Sequence, residues 1–389
     1  MSLNGVFSPP GDKSICHRLA LMSLLARGEM RLMNFSPGAD VASSLEAVRN
    51  LAGGVRTQGE HLIISGARGE IKDRAVINCG NSGTTMRLLM GILAGRAGRF
   101  ILDGDSSLRR RPMERVASPL RDMGAAIECV SGACPVTVEG GGLQGIDYEL
   151  PVASAQLKSA VLLAGIQAEG VTSVRGQVRS RDHTERLLQD FRARISWNDS
   201  HCTVERSSLE LPDSYRVPGD ISSAAFFLCA AAIIPGSEVT AEGVLLNPTR
   251  TGFLNALSRM GAEIEVETEG ERPEPWGRVT SRFSSRLTCC SIGPDEIPFL
   301  VDEVPILALV AARAHGTSVF EGVGELRVKE SDRLAAVASQ LNLMGANVVI
   351  DSDTLVVHGP AHLRSPRKLE SFGDHRIAMT LRLAALLNN

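Results

Sequence analysis

LNLMGANVVIDSDTLVVHG, Leu341 to Gly359, is the phrase that decides the fold. It reads as the end of a helix, a stop, and two short strands joined by a turn. Gly345 suits the left-handed position that closes a helix. Val348, Ile350, Leu355 and Val357 then alternate with other residues, the period of strands that bury one face. The same phrase stands four times earlier in the chain, as LEAVRNLAGGVRTQGEHLIISG, LRDMGAAIECVSGACPVTVEG, LLQDFRARISWNDSHCTVE and LSRMGAEIEVE.

Each phrase follows another amphipathic helix and a strand such as GEMRLMNFS, GRFILDGD, GVTSVRG, GSEVTAEG or GTSVFEG. The unit is therefore α-β-α-β-β, too large for a solenoid repeat. First helices are expected after Gly11, Asn81, Ser154, Gly219, Asp302 and Gly373, and the last unit ends in its first helix, IAMTLRLAALLNN. Five full units and one stub read as a chain truncated at its C-terminus. Two similar junctions, PPGDKS at 9–14 and VPGDISS at 217–223, divide the units three and three. The Pro-Gly pair bends the backbone, and the Asp behind it can cap the next helix. The expected organisation is a first domain at 12–217 with three repeats. A second domain combines 1–11 with 218–389, two repeats plus an incomplete third.

A chain of 389 residues is long for one core, so composition agrees with two. A net charge of −3 and only 4% aromatic residues argue against a general nucleic-acid binder. The N-terminus lacks the apolar stretch of a secretory signal, and AAFFLCAAAII is too short to span a bilayer. Eight cysteines without CxxC spacing argue against a disulfide framework or zinc site and fit a reducing cytoplasm.

Local charge says more than the total. Five helix starts carry cations: Lys13 and Arg18 in DKSICHR, Arg87 in GNSGTTMR, Arg109 to Arg111 in SLRRRPMERV, Lys329 and Arg333 in RVKESDRL, and Arg376 in GDHRIAM. Pro112 suits a first helical turn, and Lys329 and Arg333 at i and i+4 are expected on one helix face. A helix N-terminus already bears partial positive charge and favours acids, so added bases make sense where anions bind. A single surface Lys or Arg is ordinarily just solvated; five at matching places in one repeat are harder to dismiss. GNSGTT is not a Walker A loop, because GxxxxGK[ST] is absent. Ser154 and Gln156 in VASAQLKSA read by themselves as capping, and Ser180 and His183 in SRDHTERL are ambiguous. Asp302 and Glu303 interrupt the apolar PFLVDEVPILALVAA. They are either first-turn acids that favour the helix dipole or the makings of a general base. Glu330 faces a similar choice between ion-pair filler and proton donor.

Together PGDKSICHR, GNSGTTMR, SLRRRPM, PGDISSAAFF, RVKESDRL and GDHRIAM resemble the EPSP synthases, the 3-phosphoshikimate 1-carboxyvinyltransferase family, in that family's order and over almost the whole chain. RVKESDR with PGDKS and the DHR element is specific; GNSGTT alone is not. The resemblance implies a two-domain inside-out α/β barrel fold, built from βαβαββ units, three per domain. It implies transfer of an enolpyruvyl group from phosphoenolpyruvate to the 5-hydroxyl of 3-phosphoshikimate, with phosphate released and neither metal nor organic cofactor. A monomer with small-molecule substrates, no nucleic acid and no membrane is expected.

Carried over by motif, Lys13, Ser14, Arg18, Ser154, Ala155, Gln156, Ser180, Asp302 and Lys329 would bind 3-phosphoshikimate. Lys13, Asn81, Gly83, Thr84, Arg111, Gln156, Arg333 and Arg376 would bind phosphoenolpyruvate. Asp302 would accept the proton of the attacking hydroxyl, Glu330 is a candidate acid at the methylene carbon, and Lys13 is counted with them as catalytic. The sequence departs from the family pattern at Cys16 and Ala155, where many members carry Ser, and at His183, often Tyr. Members also continue past the DHR helix and supply another lysine, a segment absent from this sequence. Two other readings compete: a UDP-N-acetylglucosamine enolpyruvyl transferase, which usually has a Cys-bearing loop and lacks KESDR, and a non-catalytic phosphate- or RNA-end-binding relative.

Overall fold

The computed structural model describes residues 2–67, 70–364, 366 and 368–387. Among them run eleven α-helices: α1 Lys13–Met22, α2 Ala39–Ala52, α3 Gly83–Ala94, α4 Glu114–Asp122, α5 Ala155–Gly165, α6 His183–Asp190, α7 Ile221–Ile233, α8 Gly252–Arg259, α9 Val304–Arg313, α10 Arg333–Leu343 and α11 His375–Leu386. Five four-stranded sheets accompany them, and all five obey one rule. An edge strand pairs in parallel with the second strand, and the other two run antiparallel to their neighbours. Thus Arg74–Asn78 lies parallel to Gly98–Asp103, which pairs antiparallel with Ala133–Gly140, itself antiparallel to Ala126–Val130.

Two of the sheets borrow their edge strand from far along the chain. Ser214–Arg216 lies parallel to Glu29–Met33, with Tyr215 opposite Leu32. Asn4–Phe7 lies parallel to Glu238–Leu245, with Asn4 opposite Glu238. The chain accordingly divides into two compact units, Pro10–Pro218 and Met1–Pro9 with Gly219–Asn389.

The first helices α1, α3, α5, α7 and α9 are core helices. In α3 only Thr84, and in α9 only Arg313, escapes full burial. Each buried Leu, Ile or Val contributes about 1.5–3 kcal/mol relative to exposure. The second helices are amphipathic: α4 buries Val116, Ala117, Pro119 and Leu120 and leaves its charged residues outside. Four of them end in the same way. After α4, α8 and α10 a glycine takes positive φ: Gly124 (109°), Gly261 (86°) and Gly345 (96°). The next residue's N–H then reaches back to the last helical turn, as in Ala346 to Leu341 O at 3.0 Å. After α6 the same Schellman geometry is held by Arg192 at φ 66°, with Ala193 N–H bonded to Leu188 O at 2.8 Å.

Several expected local placements shift. Arg18 lies in the second turn of α1, because the helix opens at Lys13 behind the cap Asp12. Pro112 precedes α4, which opens at Glu114, and Leu108–Arg110 forms a separate 3-10 turn. Lys329 and Arg333 do not share a helix face. Asp332 caps α10 by accepting from Ala335 N–H, so Arg333 is its first residue, and Lys329 follows the 3-10 turn Val323–Val328. Asp302 and Glu303 precede α9 and are not in its first turn. All eight cysteines are free thiols, and no helix among the described residues is long and apolar enough to cross a membrane.

Candidate functional site

The expected site residues fall into two sets, one in each unit. In Pro10–Pro218 the α1 N-terminus is fixed by Asp12, whose carboxylate accepts Ile15 N–H at 3.0 Å. Lys13 Nζ stands 3.5 Å from Asp40 Oδ1, with both side chains about one-third exposed, so this pair is weak and leaves the ammonium in reach of a ligand. Behind it His17 is buried and shares a hydrogen bond with Ser44 Oγ at 2.8 Å. Ser44 meets Thr85 Oγ1 at 2.8 Å, and Thr85 donates to Ser82 Oγ at 2.8 Å. This polar chain ties α1 to α2 and to the start of α3. Burial lowers the His17 pKa against the pull of Asp40. Burial opposes the charge of Asp40, but His17 and Lys13 together hold its carboxyl below the usual carboxylate range. Arg18 is 2% exposed and spans elements: Nε donates to Thr184 Oγ1 (2.7 Å) on α6 and Nη2 to Ser159 Oγ (2.9 Å) on α5.

At the start of α3, Ser82 caps the helix and Gly83 is its first residue. A Cβ added there would stand 3.1 Å from Arg87 Nη1 and 3.2 Å from Arg111 Nη1. Two guanidinium groups therefore approach one point beside a helix N-terminus. Arg87 Nη1 also donates to Gln156 Oε1 (2.5 Å), and Gln156 Nε2 donates to Thr84 Oγ1 (2.8 Å). The Nε and Nη2 atoms of Arg111 are buried with no hydrogen-bond acceptor among the described residues. An unmet buried donor costs about 1–3 kcal/mol, and more when charged. Cations crowded at the positive end of a helix, with donors left unmet, form a cup for an anion. Asn81 stands exposed just before this cup.

Ser14 follows Lys13 and is half-buried, while Ser154 caps α5 through Leu157 N–H at 3.4 Å, with Ala155 and Gln156 behind it. Ser180 is 4% exposed in the loop before α6.

In the second unit Arg333, 1% exposed, is surrounded by acids. Its Nε donates to Asp374 Oδ2 (2.7 Å), its Nη1 to Asp302 Oδ1 (3.0 Å), and its Nη2 to Glu330. Burial works against the charged guanidinium, yet Glu330, Asp302 and Asp374 together raise its pKa above the ordinary arginine value. Burial likewise opposes ionised Asp374, and the charge and hydrogen bond of Arg333 lower it. Arg376 Nη2 approaches Asp302 Oδ2 at 3.4 Å, so each oxygen of that carboxylate faces a different arginine. Lys329, half-buried, is sequence neighbour to this cluster.

The fold thus gathers Gly83, Thr84, Arg111 and Gln156 in one group and Asp302, Glu330, Arg333 and Arg376 in another. Arg87 was visible in the cation count but had no ligand role; its spacing four residues after Gly83 is the signal that puts it over the same helix end. Asp374 caps α11 by accepting from Arg376 N–H. Its second oxygen, on Arg333, depends on a contact from α10 that no local pattern shows.

The sequence profile described as EPSP synthase (3-phosphoshikimate 1-carboxyvinyltransferase) matches residues 1–389. The chain belongs to the EPSP synthase family. It is 44% identical over 391 residues to the 3-phosphoshikimate 1-carboxyvinyltransferase of Bacillus licheniformis, covering 99% of this chain and 91% of that one. With the enzyme of that name from a Synechococcus strain it shares 49% over 393 residues, covering 99% and 88%. The solved EPSP synthase of Acinetobacter baumannii superposes with a TM-score of 0.85 at 39% identity, over 99% of this chain and 89% of that one. The enolpyruvyl transferase NikO of Streptomyces tendae, at 18% identity and a TM-score of 0.76, shares the fold. As an EPSP synthase family member the chain is a transferase by descent. The full-length match does not favour the UDP-N-acetylglucosamine reading or the non-catalytic one.

Proposed function

We propose that this chain transfers the enolpyruvyl group of phosphoenolpyruvate to the 5-hydroxyl of 3-phosphoshikimate, yielding 5-enolpyruvylshikimate 3-phosphate and inorganic phosphate. One observation carries the reading: Arg87 and Arg111 converge beside Gly83, and Arg111 keeps two buried donors unmet. Phosphoenolpyruvate brings a carboxylate and a phosphate, and paired guanidinium groups suit both. Arg111, with Asn81, Gly83, Thr84 and Gln156, holds that donor. Arg333, Arg376 and Lys13 supply further positive charge to it. Lys13, Ser14, Arg18, Ser154, Ala155, Gln156, Ser180, Asp302 and Lys329 hold 3-phosphoshikimate.

Asp302 takes the proton of the 5-hydroxyl as its oxygen bonds to C2 of phosphoenolpyruvate, and Glu330 delivers a proton to C3. The tetrahedral adduct then loses a proton from the new methyl group as the C2–O bond to phosphate breaks. Both steps develop or relocate negative charge where fixed cations stand. Asp302 is engaged by Arg333 and Arg376. An arriving anion competes for those arginines and frees a carboxylate oxygen for the hydroxyl.

Five sheets of one topology support the finer architecture, an inside-out α/β barrel built from βαβαββ units. The enzyme works as a cytoplasmic monomer; sedimentation at assay concentration tests the second point. Phosphate release is the decisive measurement for the activity. Release is expected with phosphoenolpyruvate plus 3-phosphoshikimate and not with UDP-N-acetylglucosamine; release with the latter, or with neither, overturns the proposal.

A further inference from the structure

Lys158 and Glu185 form an ion pair of a kind the reaction does not explain. Lys158 sits inside the apolar run of α5 and Glu185 in the first turn of α6; their side chains are 3% and 2% exposed, with Nζ 2.6 Å from Oε1. Taking both charges out of water is expensive, and such pairs are often matched or bettered by apolar residues of the same size. Stability alone therefore does not account for it. The ammonium has two further contacts: it donates to Val178 O at 3.0 Å and reaches Ser180 O at 3.5 Å. Its three N–H groups thus meet one carboxylate and two carbonyls of the loop that carries Ser180. One residue along each helix, Ser159 Oγ and Thr184 Oγ1 lie 2.6 Å apart, and both receive Arg18.

We infer that Lys158, paired with Glu185, is a positioning residue for the 3-phosphoshikimate side of the site. It pins the Val178–Ser180 backbone and the α5–α6 junction against which Arg18 is braced. The inference rests on the proposed function, because Ser180 and Arg18 are assigned to that substrate there. The polar partners given for Lys158 are Glu185 and the Val178 and Ser180 carbonyls, none of the phosphoenolpyruvate residues grouped at Gly83, so its loss should separate the two substrates.

The double variant Lys158→Met/Glu185→Leu removes both charges together, so neither is left buried and unpaired, while the Val178 and Ser180 carbonyls lose their ammonium donor. The expected result is a rise of about tenfold in KM for 3-phosphoshikimate, with KM for phosphoenolpyruvate within twofold and Tm near the parent value. Unchanged KM for 3-phosphoshikimate, or equal rises for both substrates, overturns the inference. If the double variant does not fold, Glu185→Gln keeps a hydrogen bond to Lys158 and is expected to show a smaller rise in the same constant alone; a change in both constants or in neither overturns it. Ser180→Ala separates this claim from the reading beneath it. A silent Ser180→Ala beside a selective double variant removes Ser180 from the substrate contacts and leaves the pair acting through Arg18.

Discussion

At the scale of single residues, Arg111 and Arg333 look alike in the sequence and differ in the structure. Arg111 keeps buried donors unmet, whereas Arg333 is shared among Asp302, Glu330 and Asp374. Arg111→Ala is therefore expected to raise KM for phosphoenolpyruvate by about 10- to 100-fold, the range for losing one or two charge-assisted bonds, with little change in Tm. Steady-state kinetics with each substrate varied in turn checks it. Arg333→Ala should cost stability as well as donor binding, since it leaves buried carboxylates uncompensated. A loss of about 3–5 kcal/mol in chemical denaturation is expected. Gly83→Ala places a methyl group 3.1 and 3.2 Å from the two guanidinium groups, so the arginines must retreat and donor affinity should fall. The cation pattern was readable because charge at a helix start defies the dipole. Which cations already have acid partners was not, because those acids arrive from other elements.

Between elements, the link from α1 to α2 and α3 runs through buried His17. Its folded pKa is lowered by burial, so the unfolded chain binds the extra proton. Stability is then full above the unfolded value, near pH 6.5, and falls as pH drops toward the folded one. Asp40 and Asp374, whose carboxyls are also lowered, add a further loss once pH passes below about 4, the unfolded carboxylate range. The free energy of unfolding followed by urea from pH 7 to pH 5 should decline, and His17→Gln should flatten that slope. A second expectation concerns the helix stop at Arg192, the one Schellman turn of the four without glycine. Left-handed backbone costs a side-chain-bearing residue about 1–2 kcal/mol, partly offset by the greater freedom of glycine in the unfolded chain. Arg192→Gly should raise stability by about 0.5–1 kcal/mol in the same denaturation experiment. The repeat was legible because its glycines and alternating apolar residues recur. The edge strands Asn4–Phe7 and Ser214–Arg216 escaped it, since each is too short and too distant from its sheet to announce itself.

For the molecule as a whole, the unit Pro10–Pro218 is continuous in sequence and closes on itself, with Asp12 N–H bonded to Pro218 O at 2.8 Å. A fragment of residues 10–218 should fold alone, with cooperative unfolding seen by circular dichroism. A fragment beginning at Gly219 lacks the strand Asn4–Phe7 and should melt lower, and a synthetic peptide of residues 1–9 should recover part of the difference. The two Pro-Gly junctions mark a two-part chain in the residues themselves, because each pairs a backbone bend with a helix cap. They also assign residues 1–11 to the later part of the chain, but not the register, Asn4 opposite Glu238, which depends on a parallel pairing across the chain.

That pairing has a consequence for synthesis. Asn4 leaves the ribosome well before its partner Glu238, which follows 234 positions later. At about 5–20 residues per second, the opening strand waits on the order of 10–50 s, while the middle of the chain can already collapse. A strand left unpaired so long is a natural target for chaperones, and a pause in translation before residue 238 would lengthen its exposure.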